Sequence, residues 1–340
     1  MHGSQLFHSI QPVSPDYLAI KEGKGVKAEW IAPTPELIVG DVKEWAEAAE
    51  VNCARIPGYW MEKGGNKGKD VAPAAPGEKV LYKFHGGGYQ ALSAHPSDMT
   101  AVITSDILTY SKTINRAFSL EYRLTKPPGL KPAHPFPAAL LDAIAGYDHL
   151  VNVLGFQPSN IIIEGDSAGA NLALALTRYL LENQGRDGVK LPAPPGGLVL
   201  NSPWTDLTGS DHKDGGSPFT NRGFDFLDMF TAGFQAMIDK FLGGPTQREL
   251  ANNPYISPGA QTAEMDKISF AGFPRTFITY GGYEVLLDQI VILKERMARD
   301  LGDEVQSYEM PEALHDPLSI PWFVPERSAG ARKTAEWIDK

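Results

Sequence analysis

The chain has 340 residues, 42% of them hydrophobic, and a formal net charge of −10. That apolar fraction excludes global disorder and allows a large core, enough for one big α/β domain with an accessory piece or for two modest domains. The negative charge and the scattered basic residues argue against nucleic acid and anionic membrane surfaces as partners, and no apolar run approaches the ~18 residues of a membrane span.

Residues 1–22 lack the apolar centre of an export signal, so a cytoplasmic location is expected. Residues 26–32 read as a strand, 35–50 as a helix with Leu37 and Trp45 on its apolar side, and 51–60 as a second strand. Cys53, the single cysteine, falls in that strand and reads as a buried, inert thiol; no disulfide can close within the chain. Residues 64–77 are rich in Gly, Lys, Pro and Ala and read as an exposed loop. A regular alternation then begins. It runs strand 80–84, helix 98–113, strand 117–122, helix 136–154, strand 160–164, helix 168–183 and strand 197–201. A long insertion, 208–268, carries polar loops and a Phe/Met-rich helix at 224–241. The alternation resumes with strand 275–280, helix 284–301, strand 305–310 and helix 329–338. About eight strands alternating with helices specify an α/β architecture, a mostly parallel sheet covered on both faces.

Gly165-Asp166-Ser167-Ala168-Gly169 follows Ile161-Ile162-Ile163 and precedes the helix-forming residues 170–181. A strand, a tight turn and a helix would push the Ser167 hydroxyl out of the sheet edge, with flanking glycines that let backbone and ligand approach. A serine near an ordinary helix N-terminus would spell the same letters. His85-Gly86-Gly87-Gly88 directly follows the 80–84 strand. The N–H groups of Gly86 and Gly87, with that of Ala168, are candidate donors to a developing oxyanion, and His85 would brace the loop. Neither glycine stretch has phosphate-loop spacing.

A serine hydroxyl needs a base. Only His212 and His315 follow Ser167 in the chain. His212 sits in a polar loop of the insertion and reads as solvated. His315 comes five residues after the last strand, where Pro317 biases Asp316 away from helix. Glu284, nearest the end of the 275–280 strand, is the first choice of acid to orient the histidine, and Asp288, one turn on, the second. Both would also suit a helix N-terminus. The histidines are dispersed and no His/Cys/Asp cluster has metal spacing, so no metal is expected.

Together these segments resemble the hormone-sensitive-lipase family of α/β-hydrolases, the GDSAG type. His85–Gly88 and Gly165–Gly169 resemble its two signatures. Glu121-Tyr122-Arg123-Leu124, His134-Pro135-Phe136-Pro137-Ala138-Ala139, Ser202-Pro203-Trp204-Thr205-Asp206, residues 283–288 and His315 resemble further stretches in the same order. The resemblance runs from about Val80 to the C-terminus. Three departures stand out. Glu284 replaces the usual Asp, residues 126–132 are inserted, and His315 is followed by Asp-Pro instead of Gly-Phe.

The resemblance implies an α/β-hydrolase fold with a helical cap made by residues 1–50 and 208–268 over core segments 51–207 and 269–340. It implies an apolar pocket beside Tyr89 and Trp204, with Phe219, Phe224, Phe226, Phe230 and Phe234 in the cap. It also implies hydrolysis of a small, short- to medium-chain or apolar carboxylic ester by Ser167, His315 and Glu284 without cofactor. Amide, carbamate or lactone cleavage and acyl transfer use the same groups and stay open, as does a non-catalytic small-molecule-binding protein on this fold. Pairing of two copies through the 305–310 strand stands beside a monomer.

Overall fold

The computed structural model describes residues 15–125 and 134–340. Its strands are β1 Lys27–Ile31, β2 Ile56–Glu62, β3 Lys79–Phe84, β4 Ile114–Leu120, β5 Ile161–Asp166, β6 Gly197–Asn201, β7 Thr276–Gly281 and β8 Val305–Met310. They form one sheet in the order β1-β2-β4-β3-β5-β6-β7-β8. β1 pairs with β2, and β2 with β4, antiparallel; every other pairing is parallel. β5 lies in the centre and is buried along its whole length, which its unbroken β-branched run requires. β8 is an edge strand, and Gln306, Ser307 and Glu309 on it are exposed.

The helices are α1 Gly40–Ala48, α2 Ala101–Tyr110, α3 Ala138–Asp148, α4 Ala168–Glu182, α5 Ser217–Thr220, α6 Ala232–Leu242, α7 Leu287–Leu301 and α8 Glu326–Ile338. Strand periodicity divides the core between the two faces of the sheet. Ile161 and Ile163 join the cluster built by α3, α4 and α7. Ile162 between them joins Ile103 and Ile107 of α2 and Trp337 and Ile338 of α8 on the other face.

Several sequence expectations change here. Residues 51–55 are not strand; Cys53 is half-buried in the segment leading to β2, and burial pushes its thiol up. Residues 35–50 split into a 3-10 turn, Pro35–Leu37, and α1, because Val39 between them is extended. The N-terminal segment expected wholly in a cap instead supplies β1 to the sheet, with Trp45 of α1 packed on Phe136 and Tyr255. The helix expected at 224–241 shrinks to α6. Thr231 caps it by accepting a bond from Phe234 N at 3.2 Å, and turns occupy 224–231.

Candidate active site

Ser167 sits between β5 and α4 with φ 52° and ψ −115°, a strained conformation for a residue with a side chain. The turn is tight enough to demand its glycines. A Cβ on Gly165 would lie 2.3 Å from Gly169 O, and one on Gly169 would lie 2.2 Å from Phe84 O. Ser167 N–H donates to Asn201 O at 2.9 Å, and Ser167 O accepts from Trp204 N at 3.2 Å, so β6 and the segment after it hold the turn on both sides.

The loops after β7 and β8 bring the remaining groups to this serine. His315 Nε2 lies 3.0 Å from Ser167 Oγ, and its Nδ1 lies 3.0 Å from Glu284 Oε2. Glu284 Oε1 accepts from Ser202 Oγ at 2.5 Å and from Gly281 N at 2.6 Å. Burial raises the Glu284 pKa, against the pull of His315 and these donors. The structure therefore brings Ser167, His315 and Glu284 together and leaves Asp288 out. Asp288 Oδ2 accepts from Ser217 N at 2.9 Å, tying α7 to the insertion. Asp225 and Asn221 of the insertion bind the backbone of Val285 and Glu284, which fixes the acid's own turn.

The glycine loop corrects one expectation. Gly86 N–H donates to Asp166 Oδ2 at 2.8 Å, so that amide is committed to a carboxylate and is not free for an oxyanion. Gly87 and Gly88, at φ 95° and 61°, line the same cavity as Ser167. His85 braces the loop. Its ring stacks on Tyr122 with centroids 4.3 Å apart, and Nδ1–H donates to Gly86 O at 2.8 Å. Burial drives its pKa down to about 4, which leaves the ring neutral.

Beneath the serine lies an ionic cluster that sequence reasoning missed. Lys83 Nζ bridges Glu164, at 2.9 Å, and Asp166, all three fully buried. Asn201 Nδ2 donates to Glu164 Oε1 at 2.7 Å, and Thr279 Oγ1 donates to Asn201 Oδ1 at 2.7 Å. The available signal was three charges placed in otherwise apolar central strands, where burial demands partners.

Above the serine is a cavity of about 570 Å³. Trp204, Phe226, Phe234 and Met237 give it apolar walls, and His315 and Asp316 give it polar ones. Tyr89, expected in the pocket, is core instead: its hydroxyl donates to Asn171 Oδ1 at 2.8 Å and its ring stacks on Phe241. Phe219 and Phe224 are exposed on the insertion, and Phe230 packs on Phe219 and His212. Among the described residues no group of three or more His, Cys, Asp or Glu could hold a metal ion, and no helix is long and apolar enough to cross a membrane.

A strand-turn-helix serine, a histidine after the last strand and an acid after the strand before it define a hydrolase of the α/β class. The family model for the alpha/beta hydrolase fold matches residues 81–319, and the chain belongs to that family, with the features of its hormone-sensitive-lipase type. An acetyl-hydrolase of Streptomyces hygroscopicus is 31% identical over 287 residues, 84% of this chain and 83% of that protein. Esterase LipU of Mycobacterium tuberculosis is 27% identical over 79% of this chain and 80% of its own. Among solved structures, a hormone-sensitive lipase from a metagenome library is similar with a TM-score of 0.64 at 28% identity, covering 94% of this chain and 85% of that one.

Proposed function

We propose that the protein hydrolyses carboxylic esters through an acyl-enzyme on Ser167. The observation that carries this reading is the continuous line from Ser167 Oγ through His315 to Glu284, with 3.0 Å on each side of the imidazole. His315 Nε2 takes the Ser167 proton as Oγ attacks the carbonyl carbon. Glu284 holds Nδ1–H and stabilises the imidazolium that results. The N–H groups of Gly87, Gly88 and Ala168 are the donors for the oxyanion; Gly86 serves the loop instead. The proton on Nε2 then passes to the departing alkoxide. Water enters, gives its proton to Nε2 and cleaves the acyl-enzyme, and the proton returns to Ser167 Oγ.

The insertion 208–268 acts as the cap. Phe226, Phe234 and Met237 come from it, and with Trp204 they favour small or short- to medium-chain apolar esters. The relatives named above as acetyl-hydrolase and esterase support the same class of substrate. The free edge of β8 is the face for pairing two copies, and light scattering that returns only the 37.0 kDa monomer excludes that pairing.

Ser167→Ala tests the reading. Turnover of p-nitrophenyl butyrate is expected to fall at least ~10³-fold, with the circular dichroism spectrum unchanged. Retention of more than about a tenth of the rate removes Ser167 as nucleophile. Comparing rates on an ester and its matched amide then separates ester from amide hydrolysis.

A further inference from the structure

The cavity presents a second carboxylate to the base. Asp316 follows His315 and is only 8% exposed. Its φ of 50° is a left-handed conformation that costs a non-glycine residue energy. The surroundings hold it there. Asp316 N–H donates to Ser202 Oγ at 3.1 Å, the same hydroxyl that donates to Glu284. Asp316 O accepts from Ser319 Oγ at 2.8 Å and from Ser319 N at 2.9 Å. This turn brings Asp316 Oδ2 to 3.3 Å from His315 Nε2, the nitrogen that also faces Ser167 Oγ. Asp316 Oδ1 is buried without a hydrogen-bond partner among the described residues.

Two oxygens thus compete for one nitrogen. With Nε2 bare, its lone pair would face a carboxylate in a buried site, which is repulsive. A proton on Nε2 or on Oδ2 turns that contact into an attraction. We propose that Asp316 is a positioning residue that shares His315 Nε2 with Ser167 and keeps a proton on the His315–Asp316 pair, so that Ser167 attacks only after this proton has passed to solvent. The inference rests on the proposed ester hydrolysis and deepens it.

The groups around the pair agree. Glu284 binds His315 from the turn before α7, and the charge of Asp225 in the insertion acts in the same direction. Asp166 from β5 and Glu284 act on Asp316 as negative charges, and Lys83 from β3 as a positive one. Carboxylates dominate, and the single lysine is already bridged to Glu164 and Asp166. Burial by itself disfavours the imidazolium, but Asp316 and Glu284 outweigh it and push His315 up to about 10. Burial also pushes the Asp316 carboxyl up, against the pull of His315. Both displacements make the pair hold its last proton above the ordinary histidine range, and the resulting midpoint belongs to the pair.

The test is the pH profile of kcat/KM for p-nitrophenyl butyrate from about pH 5 to 10, with Ser167→Ala subtracted as background. It is run on the unaltered chain, on Asp316→Asn and on Asp316→Gly. Asn keeps the size and tolerates the left-handed turn; Gly relieves it. The unaltered chain is expected to show its ascending midpoint at least about one pH unit above the ordinary 6.5, and each folded variant to bring it down by at least about one unit. An ordinary midpoint in the unaltered chain, a smaller movement in either folded variant, or loss of activity at every pH in a folded variant overturns the proposal. Survival of activity in Ser167→Ala is a different failure and strikes the proposed function instead.

Discussion

Ser167 and His315 were legible as residues because their signals are local or topological. One has a motif between strand and helix, and the other a place after the last strand. The acid was ambiguous because Glu284 and Asp288 share one short segment, and only folding decides which reaches the imidazole. The partners now separate them: Glu284 holds His315 Nδ1, and Asp288 holds Ser217 N. Glu284→Gln is expected to lower kcat by ~10²–10⁴-fold, because a neutral amide neither stabilises the imidazolium nor selects its tautomer. Asp288→Asn, whose side-chain oxygen still accepts from Ser217 N, is expected to change kcat less than about threefold. Steady-state kinetics on both variants checks the pair, and the reverse order makes Asp288 the acid. Asp316 could not be recognised as a neighbour of the base from sequence, because its direction depends on a positive φ set by Ser202 and Ser319. Gly86 was misread for a related reason: which of three consecutive amides faces the serine depends on Asp166.

Among the elements, β6 and β8 have the bounds that their alternation with helices predicts. The failures cluster where tertiary partners override local pattern. Residues 51–55 look like strand but pair with no strand among the described residues, and the aromatic run at 224–231 is held in turns by Asp225 and Asp228 bonds to the backbone of Leu227, Phe230 and Val285. The central strands carry the clearest energetic consequence. Lys83 of β3 bridges Glu164 and Asp166 of β5, and Asp166 in turn holds the glycine loop through Gly86. Removing one member of a buried ionic group leaves its partners charged and unpaired, which costs ~3–5 kcal/mol. Lys83→Met is therefore expected to destabilise the fold by about that amount in urea unfolding at neutral pH. The loss should be larger near about pH 9 than at pH 7, because Glu164, pushed up to about 7 by burial, is ionised above that range and then depends on Lys83. An unchanged unfolding midpoint at neutral pH rejects the role assigned to Lys83.

For the molecule as a whole, these buried groups make stability depend on pH in opposing directions. His85 is neutral in the fold, with a pKa lowered by burial to about 4. The unfolded chain takes up that proton first, so the stability His85 contributes is present above about pH 6.5 and is lost as pH falls towards 4. Glu121, just beyond β4, behaves oppositely. Its Oε2 accepts from Ser93 Oγ at 2.6 Å and Ala94 N at 3.0 Å, tying down the segment after the glycine loop, while Oε1 has no hydrogen-bond partner among the described residues. Burial pushes it up to about 7 against those two bonds. The folded state then holds the proton more tightly than the unfolded one. Stability from Glu121 is greatest below about pH 4.5 and declines until about pH 7, a difference of roughly 3 kcal/mol. Glu121→Gln carries no charge to bury and keeps an oxygen for Ser93 and Ala94. Its urea midpoint is expected to match that of the unaltered chain near pH 4.5 and to exceed it at pH 8, because only the unaltered chain must then bury an ionised carboxylate. Equal midpoints at pH 8 would mean that Glu121 is charged and fully compensated in the fold.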